Sequence, residues 1–450
     1  MEYGDYFKGK KVTVMGLGLL GRGVGDAAFI AQAGAAEVIV TDKKSAEELR
    51  ESVAQLEHFP NITFILGEHR LEDFQGRDMV LVAAGVPMDS MYVAHARAAG
   101  VRLVQSAALF AEISGIPIVG ITGTRGKSTV THMIHHVLAA TFEGSVLLGG
   151  NVRGLSNLQL LKQVEEDSIA VMELDSWQLQ GFGWIKISPQ VAVFTNFMED
   201  HLNYYMAGSR AKEEAMQLYF EDKANIFKYQ NDSDTLIITP EVFEWSKKLK
   251  GVTLGQEVVL VDESIIPEDT KLAMPGAHNR LNAALAYKAL EALGLEEEEI
   301  FAGLASFPGV EGRLQYMGEI NDIKIYNDNN ATTPQAVIMG MKSVGNSDDK
   351  NVIWIGGGAK KDLSLDELVE IIPKYCKKVV LLEGTGTDLI KNEIECEVVG
   401  SVEAAVKAGL ASGQPGDVIL FSPGFASFGM FKNEYERNDE FVRVINSFQN

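Results

Sequence analysis

One stretch constrains this chain more than any other: Val119-Gly120-Ile121-Thr122-Gly123-Thr124-Arg125-Gly126-Lys127-Ser128-Thr129. An apolar run enters a glycine-bracketed turn and leaves it through a lysine, two hydroxyl residues and a helix-period segment, Met133, Ile134, Val137 and Leu138. A strand, a tight turn and a helix in immediate succession belong to an α/β layer architecture. The turn also gathers backbone N–H groups and the positive end of a helix dipole at one point, which suits a polyphosphate. Lys127 would reach the outer phosphates, and Ser128 or Thr129 would hold Mg²⁺. The match to G-x-x-x-x-G-K-[ST] departs at Ile121, which stands where the first glycine belongs, with Gly120 and Gly123 on either side. ATP or GTP is the expected ligand.

A chain of 450 residues is too long for a single core, so several domains are expected. With 46% apolar and 23% charged residues it reads as a soluble globular protein. Against 40 basic residues stand 62 acidic ones, a net of −22, which repels nucleic acid and anionic membrane surfaces. An anionic substrate must therefore be caught by local positive sites. Two cysteines, Cys376 and Cys396, exclude a disulfide scaffold and a thiolate zinc site, and each reads as a small buried apolar residue. The N-terminus opens Met1-Glu2-Tyr3-Gly4-Asp5 with no apolar signal core, and no apolar run is long enough for a bilayer. A cytoplasmic location is expected.

Ahead of the phosphate loop, residues 11–16 read as a strand entering Gly16-Leu17-Gly18-Leu19-Leu20-Gly21, a G-x-G-x-x-G turn with a small-residue helix behind it. A second strand, 37–41, ends at Asp42, about 20 residues further on, where a dinucleotide fold places a carboxylate for a ribose hydroxyl. A strand at 79–84 runs into Gly85-Val86-Pro87. The first boundary is set at Ser114-Gly115-Ile116-Pro117. In the central segment a turn Gly149-Gly150-Asn151 follows one strand, Glu173-Leu174-Asp175-Ser176 ends another, and Glu199-Asp200-His201 follows a third. Glu173 and His201 thus lie beyond strand ends, as the phosphate loop does, and a common carboxyl edge would make a phosphate and hard-metal crevice. Residues 210–230 read as a charged helix carrying Lys212, Lys223 and Lys228, among which pattern does not choose. Near 251 the chain turns strand-rich, and a helix from Gly276 to Gly294 places Asn279 and Asn282 on one face. After Pro308-Gly309 a third α/β layer carries polar turns at Asn327-Asp328, Gly356 to Lys361 and Ser422 to Ser427.

These turns, in this order, resemble the Mur ligase family of bacterial cell-wall synthesis over almost the whole chain. The motifs are Gly16 to Gly21, Gly123 to Thr129, Gly149-Gly150-Asn151, Glu173 to Leu179, Glu199-Asp200-His201, His278-Asn279, Gly312-Arg313, Asn327-Asp328 and Ser422 to Phe431. The resemblance implies three α/β domains. These are a Rossmann-like unit for a UDP-linked substrate (1–114), a central P-loop ATPase sheet (115–311), and a Rossmann-like domain closing on ATP and the amino acid (312–450). It implies an ATP-dependent ligase that phosphorylates the carboxylate of UDP-N-acetylmuramoyl-L-alanine and joins glutamate, D-glutamate by the nearest branch, through an acyl phosphate.

By the same resemblance Lys127, Glu173, His201 and Lys223 are catalytic, with Ser128, Glu173, His201 and Lys223 around Mg²⁺, or Mn²⁺ in its place. Lys223 would be carbamylated to N6-carboxylysine, with Lys212 a lesser candidate. ATP would touch Asn279, Asn282, Arg313 and Asp328 besides the loop. The UDP end would meet Gly18, Leu19, Leu20, Asp42, Lys43, Gly85 and Asn151. Thr332, Lys360, Ser427 and Phe428 would hold the amino acid. A monomer is expected, with small-molecule substrates and neither nucleic acid nor membrane as partner.

The chain departs from the family where Asn330 replaces a lysine, Gly429 an acid and Asp175 a serine-like residue. The loss of a cation near the amino-acid site leaves the identity and chirality of that amino acid open. Three alternatives remain. They are a related Mur or folyl- or polyglutamate ligase with another acceptor, a nucleotide-dependent Rossmann oxidoreductase built on Gly16–Gly21 and Asp42, and a P-loop ATPase without ligase chemistry.

Overall fold

The unbroken apolar runs at 118–121, 169–172 and 191–194 are buried along their whole length. Strands in the middle of a parallel sheet have this property, since helices cover both faces. The computed structural model describes residues 3–449 except 20, 88, 153, 207–209, 250, 253, 255, 256, 268, 269, 271, 273, 275 and 362.

Three sheets hold the strands. β1 (Lys11–Met15), β2 (Glu37–Asp42), β3 (Ile62–Leu66), β4 (Met79–Val82) and β5 (Arg102–Val104) form an all-parallel sheet in the order β3-β2-β1-β4-β5. The order reverses between β1 and β4, so the crevice at their carboxyl ends lies between the Gly16–Gly21 turn and the Gly85 loop. The second sheet comprises β6 (Ile118–Thr122), β7 (Val146–Gly150), β8 (Ile169–Glu173), β9 (Val191–Phe194), β10 (Thr235–Ile238) and β11 (Glu257–Leu260). All are parallel, in the order β11-β10-β9-β6-β8-β7. β6 thus lies between β8 and β9, with Ile121 opposite both Glu173 and Val193. The third sheet takes β12 (Gln315–Ile320), β13 (Ile323–Asn327), β14 (Val352–Gly357), β15 (Cys376–Leu382), β16 (Glu397–Val399) and β17 (Val418–Phe421). Its order is β12-β13-β17-β14-β15-β16, and only the β12–β13 pair is antiparallel.

The chain divides into two compact units: Met1–Ile266 with Leu281–Gly303, and Pro267–Arg280 with Leu304–Asn450. The first unit holds two sheets on one continuous core, which includes Phe7, Ile30 and Phe110 as well as Leu174, Phe194 and Ile238. The linker at 114–117, read as a domain boundary, does not leave that core, since Ile116 and Ile118 both belong to it. A polar join reinforces it. Asp26, on the Arg22–Gln32 helix, is buried, and its Oδ1 accepts from Ser106 Oγ (2.8 Å), Ser156 Oγ (2.6 Å) and Leu158 N (3.3 Å). Burial raises its pKa above the usual carboxyl range, against those hydrogen bonds. Gly25 lies so close to the central domain that a Cβ there would come 2.5 Å from Ser156 Cβ.

The sequence pattern does not mark β3, β10, β12 or β16 as strands. Val252, read as part of a strand, precedes β11. No described helix is long and apolar enough to cross a membrane.

Candidate active site

The phosphate loop leaves β6 through Gly123, whose φ is +142. A side chain there is sterically impossible without movement, because its Cβ would come 1.9 Å from Thr195 Oγ1. The same threonine hydroxyl donates to Arg125 O (2.5 Å). Asn196, next along, accepts from Thr124 N on its carbonyl (2.9 Å) and from Arg125 N on its Oδ1 (2.9 Å), and its Nδ2 donates to Arg125 O (3.1 Å). Met198 N donates to Thr124 Oγ1 (2.9 Å). The segment after β9 therefore straps the loop into shape. Strapping consumes the N–H groups of Thr124 and Arg125, so an anion here would meet the positive end of the Lys127–Thr141 helix. Lys127 Nζ folds back to donate to Gly123 O and Thr124 O, both at 3.1 Å. Ser128 and Thr129, the second and third residues of this helix, are buried. The missing glycine of the motif has a physical reason: Ile121 is a fully buried strand residue, and the turn begins two residues later.

Lys223, at the end of the Lys212–Lys223 helix, lies under this loop. It is 1% exposed, and its Nζ donates to Gly123 O (2.7 Å) and Thr122 Oγ1 (3.4 Å), both neutral acceptors. Burial first, and then the charge of Lys127, drive its pKa well below the usual lysine value. Lys212, at the other end of the helix, is half-exposed and pairs with Glu199 (2.5 Å), so burial singles out Lys223. Asp222 anchors the helix: half-buried, it accepts from Gln180 Nε2 (2.8 Å) and Tyr205 OH (2.9 Å), and loss of water pushes its carboxyl up to about 6.

Glu173 is 5% exposed at the end of β8 and accepts from Asn151 Nδ2 at 3.5 Å. Asp175 is not a site residue by its contacts; it caps the Ser176–Ile185 helix in a capping box with Gln178. His201 takes a left-handed φ of 53, and its ring centroid lies 4.6 Å from that of Trp177. Burial lowers its pKa, helped by Lys223 and Lys127 and opposed by Asp200, so the neutral ring that a metal needs is favoured. Among the described residues no three His, Cys, Asp or Glu side chains cluster as a metal site. The donors present, one buried carboxylate, a neutral histidine and loop hydroxyls, fit Mg²⁺. That ion commonly takes one or two carboxylates and completes its shell with phosphate and water.

At the first sheet, Asp42 serves the glycine turn itself. Its Oδ2 accepts from Leu17 N (2.9 Å) and Gly18 N (3.0 Å), and its Oδ1 from Lys44 N (2.9 Å). A ribose would share a carboxylate that already holds the turn in place. Lys43 is exposed, and Leu19 projects at 61% exposure. Leu20 lies outside the described residues. Gly85 faces Trp177, whose ring stands 3.9 Å from where a Cβ would sit. Asn151 joins the two sheets: its N–H donates to Glu173 O (2.7 Å) and its Oδ1 accepts from Arg22 Nη1 (2.8 Å). Asn282 lies against the phosphate loop, since a Cβ on Gly126 (φ +82) would come 2.4 Å from its Oδ1. Asn279 is buried on the same helix.

In the second unit, Asp328 is buried and accepts from Ser422 Oγ (2.9 Å) and Leu314 N (3.1 Å). Loss of water pushes its carboxyl up to about 7, with Arg313 acting the other way. Arg313 is exposed. Thr332 accepts from Lys361 Nζ (2.8 Å), whereas the neighbouring Lys360 is exposed and bonds Thr385 through its backbone. Ser427 is buried and Phe428 is 64% exposed. The loops after β14 and β17 meet in a bridge between Ala359 and Ala426.

The sequence comparisons bear on this arrangement. Three family models match in order: the Mur ligase MurD-like N-terminal domain at residues 10–105, the Mur ligase middle domain at 121–258, and the Mur ligase glutamate ligase domain at 312–425. The UDP-N-acetylmuramoylalanine–D-glutamate ligase of Roseiflexus sp. (strain RS-1) is 33% identical over 98% of this chain and 99% of that protein. The chain belongs to the Mur ligase family. The ligase of the same description from Streptococcus mutans serotype c is 32% identical over the full length of both chains. Two solved structures from Thermotoga maritima share the fold. UDP-N-acetylmuramate-alanine ligase has a TM-score of 0.59 at 18% identity, covering 97% of this chain and 99% of that one. MurF ligase in complex with ADP has a TM-score of 0.59 at 16% identity, covering 99% and 96%.

In this Mur ligase several contributors escape sequence reasoning. Thr195 and Asn196 shape the phosphate loop; their one sequence signal is a polar pair closing a buried strand. Arg437 is 1% exposed and donates through Nε to Asn329 Oδ1 (2.8 Å), through Nη2 to Asn329 O (3.0 Å) and through Nη1 to Phe425 O (3.2 Å). It thereby ties the loop after β13 to the loop after β17. Burial pulls its pKa down to about 10. In a charged helical segment nothing distinguishes it from a solvated arginine.

Proposed function

We propose that this Mur ligase adds D-glutamate to UDP-N-acetylmuramoyl-L-alanine in an ATP-dependent, ADP-forming reaction of peptidoglycan precursor synthesis. The alanyl carboxylate attacks the γ-phosphorus of ATP, the bond to ADP breaks, and an acyl phosphate forms. The amine of glutamate then attacks the acyl carbon, phosphate leaves, and the amine proton is lost. A carboxylate is a poor electrophile, and phosphorylation converts one difficult substitution into two easier ones. Lys127 and the first-turn N–H groups stabilise charge on the transferring group.

The observation that carries this reading is the meeting of three strand ends. The strapped phosphate loop after β6, Glu173 at the end of β8 and the Thr195–His201 segment after β9 stand side by side, with Lys223 bonded to Gly123 O. Ser128, Glu173, His201 and Lys223 would hold Mg²⁺ or Mn²⁺. When bound, the ion supplies Lewis-acid neutralisation of the phosphates. Lys223 is suited to carbamylation, because burial favours its uncharged form and an uncharged amine is nucleophilic toward CO₂: the N–C bond forms, a proton leaves, and a carboxylate-like ligand results. Asn279, Asn282, Arg313 and Asp328 are the proposed ATP contacts beyond the loop. Gly18, Leu19, Asp42, Lys43, Gly85 and Asn151 would serve the UDP end, and Thr332, Lys360, Ser427 and Phe428 the amino acid. Lys361 joins the amino-acid residues on the strength of its bond to Thr332. We assign the domains as 1–114, 115–311 and 312–450, and a monomer working in the cytoplasm.

The test is to supply ATP, Mg²⁺ and UDP-N-acetylmuramoyl-L-alanine, offer D- and L-glutamate separately, and follow ADP release and product mass. D-glutamate should stimulate both. ADP release indifferent to any amino acid would end the ligase reading.

A further inference from the structure

We infer that Arg22 is a ligand for the anionic diphosphate link of the UDP-substrate, a role resting on the proposed function. Arg22 is the first residue of the Arg22–Gln32 helix, immediately after the glycine turn, with Gly21 as N-cap. A cation at a helix N-terminus opposes the helix dipole, which favours negative charge there. Its hydrogen bonds among the described residues go to neutral acceptors, Asn151 Oδ1 (2.8 Å) and Val152 O (3.1 Å). Its buried Nε has no partner. A guanidinium carries five N–H donors; two are spent on these acceptors and the buried Nε–H is out of a ligand's reach, which leaves one N–H on each of Nη1 and Nη2 for an anion. Asp26, one turn on, senses its charge, but the Oδ1 of Asp26 is committed to Ser106, Ser156 and Leu158.

The position gives this unspent charge a target. Arg22 spans from the glycine turn of the first sheet to Asn151, whose N–H is bonded to Glu173 O and whose side chain approaches Glu173 Oε1. A substrate with its nucleotide at the first sheet and its carboxylate at the phosphate loop must cross this junction. The diphosphate is the part of it that brings two negative charges. In a chain of net −22, a fork-shaped cation with free donors at a helix N-terminus is the local counter-field that such an anion needs. The helix dipole and the guanidinium, which repel one another in the free protein, would then share one ligand.

The two available explanations, diphosphate ligand and mere strut between sheets, separate by ligand series. Binding of uridine, UMP and UDP would be measured calorimetrically for the full-length wild type, Arg22→Gln and Arg22→Lys, with ATP binding on the same samples as the folding control. Arg22→Gln should weaken UDP by about 10- to 100-fold and leave uridine and ATP within about twofold. Arg22→Lys keeps the charge but loses the fork, and should fall between. Equal losses for uridine and UDP, or no loss for UDP in either variant, would overturn the assignment. A wild type that binds ATP and no uridine nucleotide would instead overturn the proposed function, and this inference with it.

Discussion

Replacing Gly123 with alanine should damage the phosphate loop through sterics alone. The new Cβ would lie 1.9 Å from Thr195 Oγ1 and 3.1 Å from Asn196 N, at a φ of +142. Thr195 cannot easily turn away, because it is β-branched and its hydroxyl is bonded to Arg125 O. A side chain at such a φ costs roughly 1–3 kcal/mol. Crowding among packed strand ends adds about 1–3 kcal/mol, and loss of the Thr195–Arg125 bond about 1 kcal/mol. The total, about 3–7 kcal/mol, is a large share of the roughly 5–15 kcal/mol that holds a typical domain folded. Denaturant unfolding would read the loss, and ATP titration would read the displaced loop as a raised Kd. Thr195→Ala introduced into the same background removes the clashing oxygen and should restore about 1–3 kcal/mol. A Gly123→Ala protein within about 0.5 kcal/mol of wild type, with unchanged ATP affinity, would refute the reasoning.

Two further outcomes follow from buried charge. Asp328 has a folded pKa of about 7 against an ordinary value of 3.8. The folded state therefore binds the extra proton, and the stability this contributes is present below about pH 4 and lost as pH rises through about 7. Unfolding free energy of wild type minus that of Asp328→Asn should fall across that window by on the order of 4 kcal/mol; a flat difference would count against the assignment. Lys223 should give a ¹³C carbamate signal in labelled bicarbonate, absent in Lys223→Arg, and that variant should lose about 10- to 100-fold in activity. Full activity of Lys223→Arg would remove the carbamate from the account.

Central strands were legible because they are buried on both faces and read as unbroken apolar runs; 169–172 and 191–194 stand out for that reason. β3, β12 and β16 sit at or near sheet edges and keep polar positions, such as Glu319 and Glu397, so no run marks them. β10 is wholly buried, yet its apolar run is only Leu236-Ile237-Ile238 between Thr235 and Thr239, too short to separate from its surroundings. At the site, the loop and Glu173 announced themselves by position at strand ends. The strap formed by Thr195 and Asn196 did not, because its partners lie 70 and 71 residues away along the chain. Lys223 could be chosen over Lys212 only by resemblance; what distinguishes it physically is burial, a tertiary property. Asp42 had the right spacing, but its bonds to Leu17 N and Gly18 N depend on how the turn closes.

The central claim is that the substrate carboxylate becomes an acyl phosphate over the Gly123–Thr129 loop. Its most direct measurement uses UDP-N-acetylmuramoyl-L-alanine with ¹⁸O in the alanyl carboxylate, turned over with ATP and D-glutamate. Mass analysis of the released phosphate should find one ¹⁸O atom carried over from the carboxylate. Amide product accompanied by phosphate free of ¹⁸O would contradict the account.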